Sequence, residues 1–152
     1  MAITIRPARP EEAALLTELA VRSKGHWGYN ESLLESFRPE LTITPSEVSS
    51  RRAAVAERCG SIVGFVTIDG DPPSAELDML FVAPEAIGTG VGAELFRHAV
   101  RAARDIGIRR LTATSDPNAE SFYRAMGAHR TGSIESSSIP GRELPLMEIH
   151  TL

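Results

Sequence analysis

Cysteine, lysine, long apolar runs and an excess of positive charge are all missing from this sequence, or nearly so. The single cysteine, Cys59, cannot close an internal disulfide, and the expected compartment is the cytoplasm. It lies in a short turn with no histidine near it in sequence, which argues against a nucleophilic role. No apolar stretch approaches the roughly 18 residues that suggest a membrane helix. The N-terminal MAITIRPARPEE has no apolar segment followed by small residues, so it is not read as a signal peptide. The net charge is −4, which argues against nucleic acid as a partner. Lys24 is the only lysine beside 15 arginines; we read this as compositional drift, although arginine-rich surfaces suit phosphate ligands.

What is present is ordinary for a globular protein. Hydrophobic residues make up 42% and charged residues 24% of 152 residues, enough for a single domain over 1–152 with a sizeable core. Ile3 and Ile5 alternate with polar neighbours as in a strand, and Pro10 opens a helix with Glu11 and Glu12 in its first turn. Asn30 is placed to cap a second helix. A polar stretch follows Pro45. The runs 53–57 and 62–68 predict two strands joined by a hairpin turn at Cys59-Gly60-Ser61. A strand is expected over 75–82, a helix over 91–106, a strand over 111–114 and a short helix over 118–126. Ile134 and the segment 144–149 read as final strands. The mixture predicts an α+β (mixed α/β) sheet covered by helices.

The segment Val82-Ala83-Pro84-Glu85-Ala86-Ile87-Gly88-Thr89-Gly90-Val91-Gly92 links a strand to a helix. Its glycines let the backbone approach a ligand closely, and the helix start adds partial positive charge, as a pyrophosphate site requires. A P-loop is excluded because Ala93 and Glu94, not Lys and Ser/Thr, follow Gly92. The dinucleotide fingerprint needs two residues between its second and third glycines, and only Val91 separates Gly90 from Gly92. On the glycines alone, a plain connecting turn stays open beside an anion site.

The surrounding residues resemble the acetyl-CoA motif of the GNAT acetyltransferase superfamily: a strand ending at Val82, then Pro84, the glycine turn and an amphipathic helix. The stretch from Asp116 to Ala128 is similar to the family's second signature, with Asn118 opening a helix, Phe122-Tyr123 within it and Gly127 ending it. Ile5-Arg6-Pro7-Ala8 resembles the family's usual first strand. The resemblance spans nearly the whole chain in the expected order. It implies the GNAT fold, a central, mostly antiparallel twisted sheet of six to seven strands flanked by about four helices.

The resemblance also implies acetyl-CoA as co-substrate, with no metal, and a small-molecule or peptide amine as acceptor. It places Leu80, Phe81, Val82, Ile87, Gly88, Thr89, Gly90, Val91, Gly92, Asn118, Ser121 and Tyr123 at the coenzyme A site. An N–H around Leu80 would meet the acetyl carbonyl, and the backbone of Leu80 and Val82 the pantetheine arm. Tyr123 would act as general acid toward the departing thiolate, and Glu76 as base toward the amine. By strict alternation Glu76, Asp78 and Leu80 share one strand face, so Asp78 is a rival base. Where the family carries Gln or Arg, this chain has Ile87, which offers only its backbone N–H. That difference keeps open a non-catalytic acyl-CoA-binding module, beside transfer of a different acyl group.

Lys24, His26, Trp27 and Tyr29 fall where the family borders its acceptor site, and Trp27 reads equally as closing the core edge. Arg142, in a loop near the end, is expected to be free to meet a carboxylate. The spacings of His26, His98, His129 and His150 match no ligand pattern. Neither a membrane nor nucleic acid is expected as a partner. An exposed edge strand near the C-terminus offers a route to a homodimer.

Overall fold

The computed structural model describes residues 2–151. Seven strands form one sheet in the order β1-β2-β3-β4-β5-β7-β6. They are β1 (Thr4–Pro7), β2 (Ala54–Arg58), β3 (Ser61–Asp69), β4 (Ser74–Val82), β5 (Arg110–Thr114), β6 (His129–Glu135) and β7 (Glu143–His150). Every neighbouring pair is antiparallel except β4 and β5. The helices are α1 (Ala13–Gly25), α2 (Glu31–Leu41), α3 (Pro45–Ser50), α4 (Val91–Asp105) and α5 (Glu120–Ala125). Among the described residues no helix is long and apolar enough to cross a membrane.

Local chemistry explains most boundaries. Asn30 accepts the Leu33 N–H at the start of α2, as expected of a cap. The turn between β2 and β3 has two residues of positive φ, Cys59 (55°) and Gly60 (77°), the backbone that matches strand twist in a tight hairpin. The polar stretch that begins at Pro45 forms the helix α3. Thr44 caps it by accepting the Glu47 N–H while Glu47 accepts the Thr44 N–H, and Pro45 presets the first turn. That reciprocal pair was readable as Thr-Pro-Ser-Glu.

The two sheet faces bury different sets. One face packs α4 and α5 through Leu95, Phe96, Ala99, Leu111 and Met147. The other packs α1, α2 and α3 through Leu16, Leu19, Phe37, Val48 and Phe65, and includes no residue of β5, β6 or β7. Gly64 lets α4 approach the sheet closely: a Cβ there would lie 2.9 Å from Leu95 and 3.0 Å from the Phe81 carbonyl oxygen. β6 forms the sheet edge near the C-terminus, and all its residues are exposed.

Candidate active site

β4 positions the site because its two neighbours treat it differently. β3 accompanies it to Val82, whereas β5 pairs only with Ser74, Ala75 and Glu76. Beyond Glu76 the edge of β4 toward β5 is open. The Ala83 N–H donates to the Val63 carbonyl (2.8 Å), so alternation turns the backbone groups of Leu80 and Val82 to the open side.

A bulge breaks the alternation one turn of the pleat earlier. Ile68 faces Leu77 and Thr67 faces Met79, which leaves Asp78 without a partner in β3. The Met79 N–H is taken by the Thr67 hydroxyl (3.0 Å). Leu77 consequently packs on the α4 face and Met79 on the α1 face, although they are two residues apart. The expectation that Glu76, Asp78 and Leu80 share one face is therefore overturned. Leu80 packs against the α4 cluster, while Glu76 and Asp78 belong with Arg51 on the opposite side.

The open edge leads into a cavity of about 710 Å³. Leu80, Phe81, Val82, Ile87, Gly88, Gly90, Gly92, Asn118, Ser121 and Tyr123 all line it. Thr89 and Val91 do not. The Thr89 hydroxyl donates back to the Ala86 carbonyl, and the Val91 side chain is fully buried beside Gly64. Gly88 and Gly90 have φ of 84° and 92°, and a Cβ at either would point into open space. The Ile87 and Thr89 N–H groups donate to Pro84 and Ala86, so Ile87 has less to give a ligand than expected. Among the described residues the N–H groups of Gly88, Gly90, Val91, Gly92 and Ala93 have no internal partner. They gather at the start of the 15-residue α4, a cradle that fits a pyrophosphate.

Tyr123 is packed edge-on against Phe96 and Phe122 and is only 7% exposed. Burial pushes its phenol pKa up, so the ring stays protonated across the working range. Glu76 itself is exposed and sits outside the cavity lining, whereas Asp78 lines the cavity. Asp78 is bound by Arg51 (2.9 Å), which also holds Glu47. The Glu76 carboxyl is pushed up to about 7, first by its hydrogen bond with Asp78, then by partial desolvation and by the charges of Asp78 and Asp69. The two carboxyls therefore form an interacting pair at the cavity mouth.

Sequence reading missed a polar clasp across the other end of the cavity. Asp116 accepts from Lys24 Nζ (2.6 Å), Tyr29 Oη (2.9 Å) and Arg142 (3.3 Å), and from the backbone and side-chain amides of Asn118. Burial alone would raise the Asp116 pKa, but the Lys24 and Asn118 hydrogen bonds hold it below the usual carboxylate range. Arg142 is thus engaged by Asp116 and Tyr29 rather than free, and only its Nε is buried without a partner. Trp27 is 42% exposed and lines the cavity, so it does not close the core edge. His26 stands outside the lining, edge-on to Trp27. Lys24 and Tyr29 lie 92 and 87 positions from Asp116, and Arg142 lies 113 from Tyr29 and 26 from Asp116, beyond any local pattern.

A family model for the "Acetyltransferase (GNAT) domain" matches residues 29–137, most of the chain and the whole of the cavity's β4–α5 wall. The chain belongs to the GNAT acetyltransferase family. Membership makes it an acetyltransferase enzyme and gives acetyl-CoA as its co-substrate, as the glycine turn and the Asn118–Gly127 stretch implied. Two curated relatives are 29% identical: the peptidyl-lysine N-acetyltransferase YjaB of Escherichia coli and that of Salmonella typhimurium. The alignment covers 98% of this chain in both cases, and 97% and 98% of the relatives. Among solved structures, the PaiA N-acetyltransferase of Thermoplasma acidophilum in complex with coenzyme A superposes with a TM-score of 0.81 at 22% identity, covering 99% of each chain. An N-acetyltransferase from Staphylococcus aureus gives 0.72 at 20% identity over 100% of each chain. At these identities the structures show a shared fold, the GNAT fold expected above, with seven strands and five helices rather than about four.

Proposed function

We propose that this GNAT acetyltransferase moves an acetyl group from acetyl-CoA directly to a primary amine, with a peptide lysine as the leading acceptor class. The single observation that carries the reading is the continuity of the cavity. It runs from the unpartnered amides around Gly88–Gly92, along the open edge of β4, to Asp78 and Tyr123. The acceptor class rests on the names of the two YjaB relatives and on Asp78, the carboxylate that lines the cavity with Glu76 beside it, which suits a cationic amine. Trp27 and the Lys24–Asp116 clasp bound the same space.

In this reading the Leu80 and Val82 backbone aligns the pantetheine arm, and the free Leu80 N–H faces the acetyl carbonyl. The amine nitrogen forms its bond to the acetyl carbon as the carbon–sulfur bond breaks. The proton lost by the amine passes to the Glu76–Asp78 pair, with Asp78 reaching the cavity and Glu76 holding the proton. The departing thiolate takes a proton from Tyr123 Oη. Glu76 is a base only when ionised, so turnover rises as pH passes upward through about 7.

Thiol release from acetyl-CoA with a lysine peptide tests this. Glu76→Gln should remove the acidic limb near pH 7 and lower turnover above it by about 10²-fold or more. A variant that keeps both the limb and the rate would remove Glu76 from the chemistry. Asp78→Asn, if it alone abolishes the limb, would move the base to Asp78.

A further inference from the structure

The face of the sheet left bare by α1, α2 and α3 carries a second set of chemical groups, away from the cavity. Cross-strand register places His129 of β6 directly opposite Glu148 of β7. His150 follows Glu148 by two residues and therefore stands on the same face. The two imidazoles are parallel, 4° between planes with centroids 5.8 Å apart. One ligating atom from each of the three residues lies within 4.8 Å of the others. His150 Nε2 is 3.0 Å from Glu148 Oε1, while Glu148 Oε2 faces Arg110 at 3.8 Å. The glutamate is the most buried of the three, its side chain 15% exposed, so β5 and β7 fix its orientation.

We propose that His129, Glu148 and His150 form a surface binding site for a zinc-class divalent cation, with water completing the coordination. The donor set decides the class of metal. Two imidazoles and one carboxylate suit Zn²⁺, and Ni²⁺ or Cu²⁺ in its place, whereas Mg²⁺ and Ca²⁺ require all-oxygen surroundings. At Zn–N distances of about 2.0–2.1 Å, ligands in a tetrahedral site lie about 3.3 Å apart. Glu148 and His150 are already that close at 3.0 Å, and with all three ligating atoms within 4.8 Å, reorientation of the two exposed imidazoles completes the closure. Two paired strands hold the three Cα positions, so little backbone order has to be gained on binding. Arg110 orients the carboxylate from behind and also repels a dication, which sets the affinity below that of a closed structural zinc site. The histidine spacing in sequence shows no ligand motif because strand register, not chain proximity, brings His129 to His150. None of the three residues lines the cavity, so the site stands apart from the groups assigned to acetyl transfer.

Competition of the purified chain against a chromophoric zinc chelator tests the assignment directly. At pH 7.5 the chain should take up one Zn²⁺, and Mg²⁺ in excess should not displace it. His129→Ala and His150→Gln should each weaken binding by at least about tenfold, the loss that removing even an outer-shell partner brings. The side chains of His129 and His150 are exposed, so circular dichroism should show both variants folded. Zinc uptake that survives the His129→Ala/His150→Gln double variant overturns the proposal. So does uptake that disappears in Cys59→Ser instead, since that exposed thiol is another zinc-seeking group on the surface.

Discussion

The two faces of the sheet are built for different purposes. On the α4 face, residues from nearly every strand meet two helices, and Leu95, Ala99, Leu111 and Met147 have no exposed surface. On the other face, α1, α2 and α3 cover β2 to β4 and leave β5, β7 and β6 to solvent. The cavity lies at the boundary, where β4 parts from β5. The sealed face supplies the stability that lets the other remain open. An open strand edge leaves backbone groups without partners, and only a well-packed opposite face makes that tolerable.

The sharpest way to break this contrast is to damage both faces equally and compare. Leu95→Ala removes a fully buried side chain from α4 and should lower the unfolding free energy by about 2–5 kcal/mol. His129→Ala, on the bare face, should stay within about 0.5 kcal/mol of wild type in the absence of metal. Urea denaturation of the two variants checks this. Equal losses would mean that the bare face contributes to stability as much as the sealed one.

Tyr123 sharpens the comparison because it belongs to both worlds: it packs in the sealed cluster and its ring also borders the cavity. Tyr123→Phe keeps the packing against Phe96 and Phe122 and removes only the hydroxyl. If the phenol returns the proton to the thiolate, turnover falls by about 10²-fold while coenzyme A affinity and thermal stability hardly change. Steady-state kinetics together with calorimetric titration separate the outcomes. Full turnover in the variant would assign Tyr123 to packing alone.

How far the sequence could be read follows the same division. The sealed face and the glycine turn are written in local patterns. The α4 stripe repeats at helical spacing, and Gly88 and Gly90 announce positive φ beside a helix start. The hairpin at Cys59-Gly60 and the cap at Asn30 are equally local. The β4 bulge is not. Strict alternation cannot foresee that Asp78 is skipped, because the skip is set by pairing with β3 and by the Thr67 hydroxyl. β6 gave only Ile134 as a strand signal, since all its residues are exposed and no apolar face repeats. The Lys24–Tyr29–Asp116–Arg142 clasp joins α1, the loop before α2, the end of β5 and the loop before β7. Nothing in any one segment points to the other three.

The smallest expected effect lies at the junction of the two faces. Ile87 lines the cavity beside the unpartnered amides of the glycine turn but brings no charge, and its own N–H is directed at Pro84. A pyrophosphate bound there would be held by backbone dipoles alone. Ile87→Arg adds a guanidinium at a partly open position, where a charge-assisted hydrogen bond contributes about 1.5–3 kcal/mol in favourable geometry. Coenzyme A should then bind about tenfold more tightly, and the gain should shrink as salt is raised, because a partly exposed phosphate contact is screened. Dephosphorylated pantetheine, which lacks the pyrophosphate, should show no gain. Titration of both ligands at low and high ionic strength reads the difference. An equal gain for pantetheine would mean that the new side chain acts through packing on the open edge of β4. The pyrophosphate would then have to be placed elsewhere than at the start of α4.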